Sequence, residues 1–350
     1  MLGYILLILS LVILGNSKKN DQKLILMFIA ITVFSGLRYG IGYDYYSYLE
    51  SCVPGYLGQE YEPIPAFFQS LAKQSFPYLF FILSSIFIST FYYLGIRQSK
   101  QNHYPETLFY VCFPFLFFNQ LGIVRQGMAS AVIFLAICIP QEEKKRFIKQ
   151  LILLAIAVMC HTSALLGVLI LIPWQKVHPS LLWVMFIFSF LLGEFIVPLF
   201  EGIISVIPMF NDAVAEKAMR YLDNEYIVEG RMLKYVMYFI VVLALLLYNR
   251  IAKEEKDKYL LSLLVLGASV FALLSFNSTL SKRLCMFFFS SSIFIVPSIV
   301  RSLKVNRVVY SLLCIILFSI QIYIASHNVR GSDPPGCSVS YPYKTFLGHL

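Results

Sequence analysis

The sequence predicts an all-α protein, a polytopic bundle of about twelve membrane-spanning helices. Three observations carry that expectation. The 350 residues are 59% hydrophobic and 13% charged, whereas a soluble domain carries roughly 25% charged residues. Apolar runs of spanning length recur from end to end, without the alternation of barrel strands. Lys and Arg gather in short clusters between those runs. The net charge of +9 therefore reads as a positive-inside distribution and not as a nucleic-acid surface.

The apolar cores, in order, are Leu2–Leu14, Leu24–Leu37, Pro77–Leu94, Thr107–Phe118, Ile123–Ile139, Phe147–Cys160, Ala164–Ile172, Leu181–Phe200, Leu233–Tyr248, Tyr259–Phe276, Leu284–Val300 and Val308–Ala325. The first lacks a basic leader and a small-residue cleavage site, so it reads as a retained helix. Ala164–Ile172 is short; it begins near His161 or forms a bent pair with the helix before it. The linkers Asn16–Lys23, Arg97–His103, Gln141–Lys149, Gln175–Pro179, Asn249–Lys258 and Arg301–Arg307 hold 17 of the 28 Lys and Arg. The positive-inside rule puts them in the cytoplasm. Both termini and the long loops 38–75 and 201–232 then face the other side. In the first loop AFFQSLAKQ has the spacing of a short amphipathic helix. The second contains NDAVAEKAMRYLDNEY, also helical in spacing. Residues 1–326 are expected to form one transmembrane domain, and 327–350 an irregular extracytoplasmic tail rich in turn residues.

With that orientation, Arg38, Arg125, His161 and Arg283 come from four separate helices to one leaflet. An anionic ligand near the outer headgroups is the economical explanation, since arginine's planar fork can bind two phosphate oxygens. The bland readings stand beside it. A terminal Arg can snorkel, and His161 can be a core residue bonded through Thr162 or Ser163. Asp44 can simply pair with Arg38. Tyr39, Tyr43, Tyr45, Tyr46 and Tyr48 suit an interfacial belt as well as sugar stacking. Lys217, Arg220 and Arg231 can be a solvated helix face. Five of the seven cysteines sit in apolar runs as packing residues. Cys52 and Cys337 both fall on the oxidising side, where a disulfide could tether the tail. The sequence has no metal-ligand spacing, HExxH, GxSxG, P-loop or dinucleotide fingerprint, so no metal or cofactor is expected.

At these residues the chain resembles the EpsG/Wzy-type polysaccharide polymerase family. An R-x-G-x-G-x-D-Y-x-x-Y element is matched by Arg38, Gly40, Gly42, Asp44, Tyr45 and Tyr48. Glu62 and Pro63 match an acidic-proline element, and Arg125, Gln126 and Ala129 an R-Q-x-x-A element. His161, Ser163 and Ala164 match H-x-S-A, and Arg283 a late Arg before an aromatic-rich span. The resemblance implies a metal-independent, GT-C-like glycosyltransferase of the bacterial inner membrane. It would move the growing O-antigen or capsular glycan from undecaprenyl pyrophosphate to a lipid-linked repeat at the periplasmic face. Arg38, Arg125, Gln126 and Arg283 are then the expected pyrophosphate ligands. Asp44, His161 and Glu62 are the candidate bases, with Asp44 favoured. Tyr45, Tyr48, Arg220 and Arg231 are candidates for sugar binding. The expected partners are the lipid-linked oligosaccharide, the bilayer, a chain-length regulator and a flippase. A ligase using the same donor, and a flippase for the same lipid, are the rival readings.

Overall fold

The computed structural model describes residues 2–16, 20–42, 44–56, 58, 61–98, 103–193, 195, 231–327 and 343–348. These residues are nearly all helical. The chain divides into two compact units, Met1–Leu171 with Leu303–Leu350, and Ile172–Ser302.

The first unit opens with α1 (Leu2–Asn16) and α2 (Asn20–Gly36), which pack together. A two-residue strand β1 (Arg38–Tyr39) follows, then the short α3 (Tyr45–Ser51) and α4 (Pro63–Gln74). Helix α4 covers the stretch expected to be amphipathic. Next come α5 (Leu79–Arg97), α6 (His103–Cys112), α7 (Phe117–Gly122), α8 (Val124–Cys138) and α9 (Arg146–Cys160). A 3-10 helix, Thr162–Leu171, turns back against α8 and α9. Helix α8 is the axis of this unit: every residue except Arg125 and Leu135 is buried, and α5 and α9 flank it. Small residues permit that closeness. A Cβ on Gly95 would lie 2.6 Å from the Phe134 ring. Beside it Tyr92 stacks on Phe134 at 4.7 Å and on Tyr110 at 4.3 Å.

The second unit contains α10 (Pro179–Leu192), α11 (Arg231–Leu246), α12 (Tyr248–Ile251), α13 (Glu255–Leu273), α14 (Ser278–Phe289) and α15 (Ser292–Ser302). Helix α13 is its buried core and packs on α10 and α14. A Cβ on Gly267 would meet the Phe289 backbone nitrogen at 2.9 Å, so only glycine fits that crossing. Helix α16 (Arg307–His327) belongs to the first unit. It packs on α6, where the Tyr104 hydroxyl and Ser311 Oγ are 3.0 Å apart.

Most apolar cores read from the sequence coincide with helices; Phe147–Cys160, for example, is α9 less one residue. Two are corrected. Thr107–Phe118 is not one helix but α6 and α7, separated at Phe113–Leu116. Pro114 sits in that gap and cannot donate the helical bond to Tyr110. Leu284–Val300 is a bent pair, with α14 and α15 inclined at 62°. At the bend the Ser290 and Ser291 hydroxyls donate to Phe287 O (3.0 Å) and Phe288 O (2.8 Å). Such back-bonding competes with the helical ladder and bends it.

Among the described residues, α5 is the one helix that is by itself long and apolar enough to cross a membrane, and the bent pair α14–α15 passes when joined. Six further apolar helical stretches are shorter. Their outer faces still carry large apolar side chains such as Leu6, Ile13, Leu181, Phe188, Val308 and Leu313, which water does not favour. Loop 201–232 lies outside the described residues up to position 230. So does Cys337, and with it the expected pairing to Cys52, which is buried. Residues 328–342 are likewise outside, whereas Lys344–Thr345 form β2, antiparallel to β1.

The α5–α8 crossing makes a direct stability test. Gly95→Leu should cost about 1–3 kcal/mol, the range for overpacking a filled core. Thermal unfolding of the detergent-solubilised chain measures it, and an unchanged melting temperature would contradict the crossing described.

Candidate functional site

The site is built from three segments of the first unit. The first follows α2. Gly40 and Gly42 have φ of +69° and +120°, conformations that only glycine adopts without strain. A Cβ on Gly42 would also lie 2.3 Å from Leu121 O. The two glycines thus fold the loop onto the end of α7, and the Asp44 N–H donates to Gly122 O at 3.3 Å. Helix α3 starts there and carries Tyr48 inward.

The second segment is Tyr61–Glu62. Pro63 opens α4, and a residue before proline is held extended. Glu62 has φ −59° and ψ 157° at the N-cap, which turns its carboxylate away from α4's own axis. The third segment is the pair of helix ends at Arg125 and His161. Arg125 lies in the first turn of α8, and His161 is the extended break between α9 and the 3-10 helix.

These segments meet at the Glu62 carboxylate. Arg125 Nη1 donates to Oε2 at 2.8 Å. His161 Nδ1 lies 3.1 Å from Oε1, and the Thr162 N–H, at the open end of the 3-10 helix, donates to the same oxygen at 3.3 Å. Arg125 also lies over the Tyr61 ring, 4.5 Å from its centroid, a cation–π contact. Its charge also acts on the Tyr48 phenol. Tyr61 is fixed in turn: its hydroxyl donates to Ser51 Oγ at 2.9 Å, and Ser51 donates to Tyr48 O at 2.7 Å. Arg125 Nε is buried and has no hydrogen-bond partner among the described residues, so the guanidinium retains donor capacity.

The electrostatics follow from this geometry. Burial raises the Glu62 pKa, but the hydrogen bond from His161 and the Arg125 charge outweigh it, and the group is held at about 2. Glu62 is therefore a carboxylate at any working pH and a poor proton acceptor. Burial, reinforced by the Asp44 charge, raises the Tyr48 phenol while Arg125 opposes. Tyr48 is neutral at physiological pH. No group of three or more His, Cys, Asp or Glu among the described residues could hold a metal ion.

Of the residues singled out in the sequence, Glu62, Arg125 and His161 are in direct contact. Asp44 and Tyr48 adjoin them through Gly122 and Arg125. Arg38 is elsewhere. It is 1% exposed, and its guanidinium donates to Ile41 O (3.2 Å), Leu121 O (3.4 Å), Ser85 Oγ (3.4 Å) and Ser35 O. Its donors are spent on holding the loop to α2, α5 and α7. Tyr45 is fully buried, stacks on Phe81 at 4.3 Å and donates to Arg38 O. It has no face open to a sugar. Gln126 is buried within α8. Arg283 is on α14 in the second unit. Arg231 opens α11, and Arg220 lies outside the described residues. Tyr61 and the Thr162 amide were not anticipated. Tyr61 immediately precedes Glu62 in YEPIP, a signal that was there to be read; a backbone N–H leaves none.

A depressed carboxylate pKa makes the Glu62 contribution to stability fully present above its ordinary value of 4.5 and lost as pH falls towards about 2. Glu62→Gln should therefore lower the thermal unfolding temperature fully at pH 7 and by clearly less at pH 3. A loss that is the same at both pH values would show an ordinary carboxylate.

A family model described as the EpsG family matches residues 23–344. No curated protein and no solved structure gives a match. The family match spans every element of the site, from Gly40 to Thr162, and also Arg38 and Arg283. The chain belongs to the EpsG family of membrane-associated, polysaccharide-polymerase-type proteins.

Proposed function

We propose that the protein is a multi-pass polymerase of the bacterial inner membrane, with a GT-C-like arrangement of about twelve spans. It transfers a growing glycan from undecaprenyl pyrophosphate to a lipid-linked repeat at the periplasmic face, without a metal. The observation that supports this reading is the single carboxylate, Glu62, joining Arg125 to His161. It places an arginine with a spare donor beside an imidazole whose Nδ1 lies 3.1 Å from the same carboxylate.

The reaction needs two things from such a site. The acceptor hydroxyl must lose a proton as its oxygen attacks the anomeric carbon. The glycosyl–phosphate C–O bond then breaks, and its electron pair leaves on the pyrophosphate. Glu62 fixes His161 through Nδ1, so Nε2 is the nitrogen left to take the acceptor's proton. This changes the ranking of bases: a carboxylate held near pKa 2 orients better than it abstracts, and His161 takes the role first assigned to Asp44. Arg125, through its uncommitted N–H groups, stabilises the charge that develops on the leaving pyrophosphate. A preplaced cation in a poorly hydrated site favours the transition state over the ground state. Asp44 and the neutral Tyr48 phenol are assigned to the acceptor's hydroxyls. A chain-length regulator and a flippase are the proposed partners.

Purified enzyme given lipid-linked repeat alone should lengthen it. A requirement for a different acceptor would make it a ligase. Arg125→Ala should lower turnover about 10²-fold or more at normal protein level. His161→Ala should cost about 10²–10⁴-fold, the range for losing a general base. Wild-type polymer ladders from either variant would overturn its assigned role.

A further inference from the structure

The last four carbonyls of a helix have no partner within the helix. At the end of α2 one of those groups, Phe34 O, is taken up by a distant part of the chain. The Leu37 N–H donates to Val33 O at 3.0 Å, and Arg38 takes Ser35 O. Phe34 O accepts from the Tyr343 hydroxyl at 2.8 Å, and the next carbonyl out, Leu37 O, accepts from the Phe346 N–H at 3.1 Å. Between these two bonds, β2 pairs with β1 in the register Arg38 to Thr345 and Tyr39 to Lys344.

Two aromatic stacks fasten the same segment. The Tyr343 ring lies on Phe34 at 4.3 Å and 18°. Phe346 is 3% exposed and lies on Tyr78 at 4.6 Å and 4°. Phe34 is in the last turn of α2, and Tyr78 is the N-cap of α5. The segment therefore bridges the end of α2, from which the Arg38–Tyr48 stretch leads, and the start of α5. That stretch reaches the site through Asp44, bonded to Gly122, and Tyr48, whose phenol feels the Arg125 charge.

We propose that Tyr343–Gly348 is a latch that sets the position of the Asp44–Tyr48 wall against Arg125, with Tyr343 and Phe346 as positioning residues. Its catalytic consequence rests on the polymerase reading; its mechanical one does not. Neither residue touches Glu62, Arg125 or His161. They act through the backbone of residues 37–48.

The test uses the full chain in lipid nanodiscs with two readouts, amide hydrogen exchange over residues 37–48 and steady-state kinetics on lipid-linked repeat. Phe346→Ala should speed exchange in that window by about tenfold, the effect of one lost aromatic contact on a local opening. It should lower kcat/KM by a similar factor. Phe346→Tyr, which keeps the stack, should restore both. Tyr343→Phe keeps its stack and loses only the bond to Phe34 O; it should give the same pattern at smaller amplitude, and it decides the matter if Phe346→Ala does not fold. Unchanged exchange in the variants would overturn the latch. Faster exchange with unchanged kcat/KM would overturn its positioning role. If the wild type fails to lengthen the repeat, the polymerase reading fails alone, and the exchange experiment still decides the latch.

Discussion

A guanidinium that is 1% exposed must find its solvation within the protein, because an unsolvated buried charge costs several kcal/mol. Arg38 finds it in the carbonyls of Ser35, Ile41 and Leu121 and the hydroxyl of Ser85. Those groups belong to the end of α2, the loop after it, α7 and α5. One side chain therefore fixes four pieces of backbone relative to one another, and the geometry of Asp44 and Tyr48 is inherited from it. The stack of the Arg38 guanidinium on Phe81, 5.0 Å from the centroid, completes the enclosure. A lysine would keep the charge but lose the planar fork that reaches several carbonyls at once.

Glu62 performs the complementary task. It gathers one cation, one imidazole and one backbone N–H on a single carboxylate. The arrangement is stable because each partner favours the ionised form, and their combined effect exceeds the cost of partial burial. It is also chemically asymmetric. His161 turns Nδ1 towards the carboxylate at 3.1 Å, and Arg125 is bonded through Nη1 and keeps Nε without a partner among the described residues. Arg38, by contrast, gives four hydrogen bonds to the protein's own backbone and to Ser85.

Helix positions were legible because lipid-length apolar runs leave little choice of structure, and α9 falls within a residue of its expected range. The bend between α14 and α15 was not, because serine back-bonding at Ser290 and Ser291 depends on rotamers that composition does not show. In the site, Glu62, Arg125 and His161 stood out as polar groups at helix ends. The sequence could not separate them from Arg38 or Tyr45, since burial is decided by neighbours that arrive from elsewhere in the chain. Docking of Tyr343–Gly348 was also hidden. A two-residue strand pairing across some 300 positions carries no local periodicity to detect.

The Glu62 contacts join residues far apart in the chain: Arg125 lies 63 positions after Glu62, and Thr162 lies 100 after it. During synthesis the carboxylate is made before the cation that needs it. Arg125, in the first turn of α8, follows its counter-ion in the chain. The imidazole and the amide join only when α9 and the 3-10 helix follow. The order of the chain thus puts the carboxylate first, its cation second and the imidazole and amide last.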